Sequence, residues 1–518
     1  MAWLDMGESL RVNAAKFPDK MALKDERRSV TFSELNTRVN KLANALLGMG
    51  LKKGDKLGVV SYNCIEFMEV YLAAAKSRVI VVPLNWRQTS RAFKYILSNS
   101  DASAIMVHTD FVDRINEIRD ELSVDPGRFV CLNGEPAEGY LDYEELLDGG
   151  SEEEPAVEIK NEDTWVILYT SGTTGVPKGV VRSHASYTAF YLINEVEFGF
   201  RHSDYGLIVM PLFHVNSTFY SFVFTYIGAS VYIHKEKSFD PEEVLQIIER
   251  ENITFTSLIP THYNLILSLP DGVKSKYNVS SMRSILCSSA PVWKKTKLEI
   301  MDFFKDVELF EAYGSTEAGL VTLLRPEDQM RKLGSIGQEC AGTDVLRVLD
   351  EDGNEVPVGD VGELYSRGPM MFDEYYNQPE KTKAAFIGDY FSAGDMARKD
   401  EEGYYTLVDR KDNMIITGGE HVFPSEVEGM IGEHVSVRAV AIIGERHIKW
   451  GEAVTAVVVL KNGRECTERE LIEFCRGRMA AFKKPKKVRF ITEEEMPRTP
   501  TGKVLHRILR ERFGKPVE

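Results

Sequence analysis

The ten residues Thr170-Ser171-Gly172-Thr173-Thr174-Gly175-Val176-Pro177-Lys178-Gly179 carry the densest chemical signal in the chain: four hydroxyls, three glycines and one lysine. Such a loop suits a polyanion. Glycines let backbone N–H groups come close to phosphate oxygens, hydroxyls donate without adding charge, and Lys178 supplies a cation at the loop's end. It differs from the Walker loop, because Lys178 follows Gly175 by three positions and is itself followed by Gly179 rather than Ser or Thr. The plainer alternative is a Ser/Thr/Gly surface turn. The apolar run Trp165-Val166-Ile167-Leu168-Tyr169 just before it reads as a buried strand, and a strand feeding a loop of this order points to phosphate chemistry.

Four further sites follow in the order of the chain. Pro211-Leu212-Phe213-His214 comes after an expected strand, and Glu311-Ala312-Tyr313-Gly314-Ser315-Thr316-Glu317 is expected to follow another. Ser392-Ala393-Gly394-Asp395 is expected to end a β-rich stretch, and Pro497-Arg498-Thr499-Pro500-Thr501-Gly502-Lys503 lies near the C-terminus. Singly, each has a bland explanation: a satisfied core histidine, a turn aspartate, a solvated lysine.

The elements that must position these residues alternate between strand and helix. Leu57–Val60, Val79–Val82, Ala104–Val107, Phe255–Ile259 and Ser284–Cys287 read as strands, and Glu66–Lys76 and Pro241–Glu251 as helices. This predicts an α/β fold: a large N-terminal domain, residues 1–411, of parallel sheets covered by helices, with a small β-rich subdomain at about 325–411. The charged stretch Asp409–Asn413 marks the boundary to a smaller α+β domain, residues 412–518.

At 518 residues, with 43% hydrophobic and 27% charged side chains, the chain has the composition of an ordinary globular protein of more than one domain. Its net charge of −16 argues against nucleic acid as a partner. Residues 483–518 reverse the sign, with eleven Lys/Arg against five Asp/Glu, which suits closure over a small polyanion or equally a solvated basic face. The six cysteines show neither a C-x-x-C pair nor metal-ligand spacing and read as reduced thiols. Residues 1–20 lack an apolar signal core, so the cytoplasm is the default compartment. The uncharged stretch Val215–Ile233 has the length of a membrane span. Gly228-Ala229-Ser230 and scattered hydroxyls favour an interior helix followed by a strand.

Together the five sites resemble the adenylate-forming superfamily of acyl-CoA synthetases, peptide-synthetase adenylation domains and luciferases, over about residues 10–512. The resemblance implies an acid:CoA ligase of the AMP-forming type, of the kind that serves fatty acid metabolism, with ATP, Mg²⁺ and coenzyme A taking part. It implies that Thr170, Ser171, Gly172, Thr173, Thr174, Gly175 and Lys178 hold the β- and γ-phosphates and that Lys503 bridges carboxylate and α-phosphate. Glu317, with Thr170, binds Mg²⁺. Ala290, Glu311, Ala312, Tyr313, Gly314, Ser315 and Thr316 surround the nucleotide, with Tyr313 stacked on adenine. Asp395 accepts from the ribose hydroxyls beside Arg410. The second domain resembles a mobile lid hinged at Asp412, with Gly418, Gly419 and Glu420 on the thiol side. His214, Asn216, Thr218, Ser288 and Ser289 fall at the acyl pocket, and the resemblance counts His214, with Lys503 and Glu317, among the catalytic residues.

Several positions depart from the family pattern. Tyr390 and Ala393 stand where Trp and Thr are usual, His421 replaces an Asn, and Ser288-Ser289 replace two small residues, often Gly-Gly. The serines narrow the expected pocket and line it with hydroxyls. The aromatics of Asn216–Phe222 either cap that pocket or pack against the sheet. No cation stands out along this segment, so a second substrate carboxylate is disfavoured, and the expected acid is short- to medium-chain, alicyclic or aromatic. Two other readings stay open. One is loading of an aryl or acyl acid onto a carrier protein; His214, where amino-acid-activating domains place Asp, argues against a free α-amine. The other is a catalytically silent nucleotide-binding protein. The sequence leaves the oligomeric state open.

Overall fold

A computed structural model describes residues 4–170, 176–235, 237–289, 292, 294–498 and 504–514. They form two compact units. The first comprises residues 4–345 and 367–391, and the second 346–366 and 392 onward.

The first unit is built on two large sheets. In the nine-stranded sheet six neighbours run parallel, in the order Glu308–Ser315, Ser284–Ser288, Phe255–Leu258, Tyr205–Ile208, Ser230–Ile233 and Met21–Lys24, with antiparallel strands at both edges. The eight-stranded sheet runs parallel from Thr164–Thr170 through Ile80–Pro83, Lys56–Val60, Ala102–His108 and Phe129–Leu132 to Leu141–Asp142. Its other edge is antiparallel: Lys178–Ser183 pairs with Thr164–Thr170, and Glu374–Tyr375 pairs with Lys178–Ser183. Parallel strands covered on both faces must be apolar throughout, which is why these stretches lack alternation.

Helices Ile65–Ser77, His184–Phe198 and Val215–Tyr226 share one hydrophobic cluster with strands of both sheets. Every residue of Ile65–Ser77 is buried. Trp165 is fully buried there, its indole N–H donating to the Tyr71 carbonyl at 2.9 Å. Helix ends follow local chemistry. In Pro241–Glu251, Asp240 caps the N–H groups of Glu242 and Glu243, proline occupies the first turn, and Asn252 ends the helix in the left-handed region. The uncharged stretch after His214 is the helix Val215–Tyr226 and the strand Ser230–Ile233, both in the interior. Among the described residues no helix is long and apolar enough to cross a membrane.

The second unit holds a four-stranded antiparallel sheet (Arg347–Leu349, Gly362–Tyr365, Asp395–Lys399, Tyr405–Arg410) and a five-stranded sheet centred on Gly451–Leu460, with helices Pro424–Gly432, Glu468–Phe474 and His506–Phe513. The residues expected to make one β-rich subdomain are therefore distributed. Residues 367–391 join the first unit because Glu374–Tyr375 extends its eight-stranded sheet, while the four antiparallel strands belong to the second. Asp395 opens a strand there instead of ending the β-rich stretch.

Candidate active site

The phosphate-type loop closes an antiparallel hairpin: Thr170 pairs directly with Lys178 across the ladder. Ser171, Gly172, Thr173, Thr174 and Gly175 lie outside the described residues. The ladder also places Tyr375 beside this hairpin, since Tyr375 pairs with Val180 and the Tyr376 N–H donates to the Gly179 carbonyl. The Lys178 ammonium sits 4.2 Å from the centre of the Tyr375 ring.

Residues 311–317 were expected to follow a strand; they form its end and the turn after it. Glu308–Ser315 pairs antiparallel with Gly319–Leu324, so Thr316, Glu317 and Ala318 are the hairpin tip. Glycine permits this geometry. Gly319 has φ +74, and a Cβ on Gly314 would lie 2.1 Å from the Gly319 carbonyl oxygen. The Ser315 hydroxyl accepts from the Ala318 N–H at 3.0 Å. Glu311 is half-buried against the fully buried Lys297; burial pushes its carboxyl up, and Lys297 opposes that by favouring the charged form. Ala312 and Tyr313 lie on the same strand, both half-buried.

Glu317 is oriented from both ends. The Tyr375 hydroxyl donates to its Oε1 at 2.9 Å, and its carbonyl accepts from the Phe372 N–H at 2.7 Å. Its Oε2 has no partner among the described residues. One hard carboxylate oxygen with uncommitted lone pairs, held by the same Tyr375 whose ring faces Lys178, fits Mg²⁺, which takes one or two protein carboxylates and completes its shell with phosphate oxygens and water.

The residues expected at the acyl pocket are partly brought together. The Asn216 amide Nδ2 donates to the hydroxyls of Ser257 at 2.8 Å and Ser288 at 3.1 Å, and the Ser288 and Ser289 hydroxyls are 3.5 Å apart. Ser289 adopts φ +70, an unusual value for a residue with a side chain. His214 caps the helix Val215–Tyr226, its Nδ1 accepting from the Asn216 N–H at 3.4 Å. Burial pulls its pKa down to about 4, so the imidazole is neutral near pH 7. Thr218 is fully buried and bonded to the Tyr187 hydroxyl and the Val215 carbonyl. Phe219 stacks on Phe190 at 3.7 Å, and Tyr220 and Phe222 are also buried, so these rings pack in the core. Ala290 lies outside the described residues.

In the second unit, Asp395 and Arg410 are cross-strand neighbours, with Arg410 Nε 2.9 Å from Asp395 Oδ1, and Arg410 also donates to the Ala393 carbonyl. Gly418-Gly419 is the two-residue turn of the hairpin Ile415–Thr417 and Glu420–Val422. Both glycines have positive φ (62 and 86), as such turns demand. Glu420 and His421 are exposed there. Asp412 sits in a short 3₁₀ turn, Lys411–Asn413. Lys503 lies outside the described residues.

Three side chains at these sites escaped the sequence reading. Tyr375 and Ser257 carry no local sign of their roles. Arg182 carries one: a charge inside the buried strand Lys178–Ser183 must have a structural reason.

Comparison with known proteins accords with this arrangement. The chain matches the family described as AMP-binding enzyme over residues 10–376, and the AMP-binding enzyme C-terminal domain over residues 426–503. It is 32% identical to the indoleacetate–CoA ligase of Aromatoleum aromaticum, covering 97% of this chain and 96% of the relative. With the long-chain-fatty-acid–CoA ligase FadD13 of Mycobacterium tuberculosis the identity is 33%, covering 99% of each. The crystal structure of ATP-bound MatB from Rhodopseudomonas palustris matches with a TM-score of 0.88 at 30% identity, covering 98% of this chain and 99% of that one.

Proposed function

The chain belongs to the AMP-binding, adenylate-forming enzymes as an AMP-forming acid:CoA ligase, and from that premise we propose which residues perform its two half-reactions and what kind of acid it takes. In the first, a carboxylate oxygen of the acid attacks the α-phosphorus of ATP, the bond to the bridging oxygen breaks, and pyrophosphate leaves. In the second, the thiol sulfur of coenzyme A attacks the acyl carbon, AMP departs, and the thiol proton passes to solvent.

The observation that carries the assignment is the meeting of Lys178 and Glu317 on one side chain, Tyr375, whose ring faces the ammonium and whose hydroxyl holds the carboxylate. Lys178 offers a cation to the departing phosphates, and Glu317 presents an oxygen to a divalent ion. Mg²⁺ bound there supplies positive charge to the phosphate oxygens. Thr170 lies across the ladder from Lys178, at the start of the loop that cradles the phosphates. Lys503 supplies the mobile charge that holds carboxylate and α-phosphate in line. Asp395, fixed by Arg410, accepts from the ribose hydroxyls, and Tyr313 offers its ring to adenine. Glycines 418 and 419 leave backbone open to the pantetheine arm.

For the acid, the support is the polar group Asn216–Ser257–Ser288. A pocket wall of an amide and hydroxyls suits a compact alicyclic or aromatic acid, or a short- to medium-chain one, better than a long unbranched alkyl chain, which gains nothing from polar walls. The relatives named for indoleacetate and for long-chain fatty acids bracket this choice.

The test separates the half-reactions over acids of graded length and ring content, with and without coenzyme A. Lys503→Ala is expected to lower pyrophosphate release by roughly 10²-fold or more while thioester formation from supplied acyl-adenylate survives. Equal loss of both would refute the role given to Lys503, and a preference for long alkyl acids would refute the substrate reading.

A further inference from the structure

Arg182 is fully buried, yet no carboxylate within hydrogen-bonding distance accounts for it among the described residues. Its two amino groups donate to main-chain carbonyls, Nη1 to Thr316 at 2.7 Å and Nη2 to Met370 at 2.6 Å. The guanidinium carbon lies 5.2 Å from the Tyr187 ring centre and 5.0 Å from that of Phe219. Among the described residues its buried Nε has no partner. The guanidinium's hydrogen-bond acceptors are neutral, and the carboxylates of Asp373 and Glu317 act on the charge only from beyond hydrogen-bonding reach, so burial still penalises the charged form; an apolar residue of similar volume would pack here without that penalty. The arginine therefore supplies something that packing alone does not.

The two carbonyls belong to the two segments that hold Glu317. Thr316 precedes Glu317 at the hairpin tip, and Met370 opens the stretch whose Phe372 N–H and Tyr375 hydroxyl take the Glu317 carbonyl and carboxylate. The same segments touch once more where Gly319 meets Met370: a Cβ on Gly319 would lie 2.7 Å from the Met370 Cβ. Arg182 is one planar fork spanning both segments, and such a fork fixes two acceptors relative to each other in a way a flexible ammonium does not.

Resting on the reading of Glu317 as metal ligand, we propose that Arg182 is a positioning residue for the metal-phosphate end of the site: it ties the Thr316–Glu317 tip to Met370, so that Tyr375 holds the Glu317 carboxylate at a fixed place beside Lys178. The alternative occupant of its charge, a second carboxylate on the substrate, is disfavoured because both amino groups are committed and the side chain has no exposure.

Arg182→Lys and Arg182→Gln, checked for folding by circular dichroism and melting, test this beside Tyr375→Phe and Glu317→Gln. The readouts are the Mg²⁺ concentration for half-maximal pyrophosphate release and, independently of turnover, calorimetric ATP binding with Mg²⁺ and in EDTA. The expected result for Arg182 and Tyr375 variants is an increase of about fivefold or more in the Mg²⁺ requirement, weaker binding of ATP with Mg²⁺, and binding in EDTA changed by less than about twofold, because only the ligand's placement is lost. Folded Arg182 variants with unchanged Mg²⁺ dependence would overturn the proposal, as would a shift in acid preference alone, which would direct the charge to the substrate. If neither Arg182 variant folds, Tyr375→Phe decides, and an unchanged Mg²⁺ requirement there overturns it. An unchanged requirement in Glu317→Gln would instead remove the metal-ligand reading itself.

Discussion

Arg510 holds Asp412 by its main chain: the guanidinium donates to the Asp412 carbonyl and also to that of Asn413. The C-terminal helix His506–Phe513 thus grips the turn at which we place the hinge. Proline at 412 fixes φ near −65° and biases Lys411 away from helical torsions, while leaving both carbonyls available to Arg510. Asp412→Pro is expected to keep pyrophosphate release from ATP plus acid and lose transfer to coenzyme A. Each half-reaction is measured separately on folded protein, and equal retention of both would make residue 412 an ordinary linker position.

The Asp395–Arg410 pair predicts a nucleotide effect. Asp395→Asn keeps the shape and removes the charge that makes a carboxylate a strong acceptor, so the KM for ATP is expected to rise about tenfold, or about 1.4 kcal/mol. The KM for the acid should change much less. Steady-state kinetics in both substrates checks this, and an unaltered ATP dependence places Asp395 away from the ribose.

Ser288 and Ser289 should separate cleanly. Ser289→Gly relieves a left-handed backbone and is expected to raise stability by about 1 kcal/mol. Ser288→Gly removes a hydroxyl that accepts from Asn216 and widens the wall, shifting preference toward bulkier acids by about 1–3 kcal/mol at most. Thermal melts and an acid panel read the two effects. A panel that does not move for Ser288→Gly would put the Asn216 group outside the pocket.

His506 bonds Glu428 at 2.6 Å inside the second unit, and Glu428 also accepts from the Ile442 N–H. Burial alone would lower the imidazole's pKa, but the hydrogen bond and charge of Glu428 outweigh it and hold the value above the usual 6.5. A raised folded pKa means the stabilisation is complete below pH 6.5 and is lost as pH rises through the folded value. The melting temperature of the second unit should therefore fall as pH rises above 6.5 and through the folded value, by about 2–4 °C for each kcal/mol lost, and Glu428→Gln should flatten that slope. A wild-type profile as flat as the variant's would refute the coupling.

The interior strands were legible because strands covered on both faces must be apolar: Phe255–Leu258 and Ser284–Ser288 lie where their runs predict. The helix Pro241–Glu251 was legible as an amphipathic run bounded by Asp240 before it, with Pro241 in its first turn and Asn252 after it. The hairpin at 311–317 was not, because its residues are polar and its pairing depends on Gly314 and Gly319 approaching each other, which leaves no periodic trace. Nor was the division of residues 325–411 between units, since it follows from which sheet edge each strand finds. Glu317 and Lys178 were legible as chemistry. Tyr375, which joins them, is 58 positions from Glu317 and is placed by a strand pairing that local pattern does not encode.

The hairpin that carries the phosphate loop has an electrostatic consequence. Six residues of strand, Lys178–Ser183, separate the loop from the next helix, which begins at His184. A helix N-terminus concentrates about half a positive charge, and that field fades within its first turn, so Thr170 and Lys178, at the far end of that strand, receive little of this helix's macrodipole, unlike phosphate sites built directly on helices. On the proposed assignment, neutralising the leaving pyrophosphate then falls to a lysine ammonium, which can swing away on its flexible stem, and to a divalent cation, which can leave with the product, so no fixed attraction is left to hold it back.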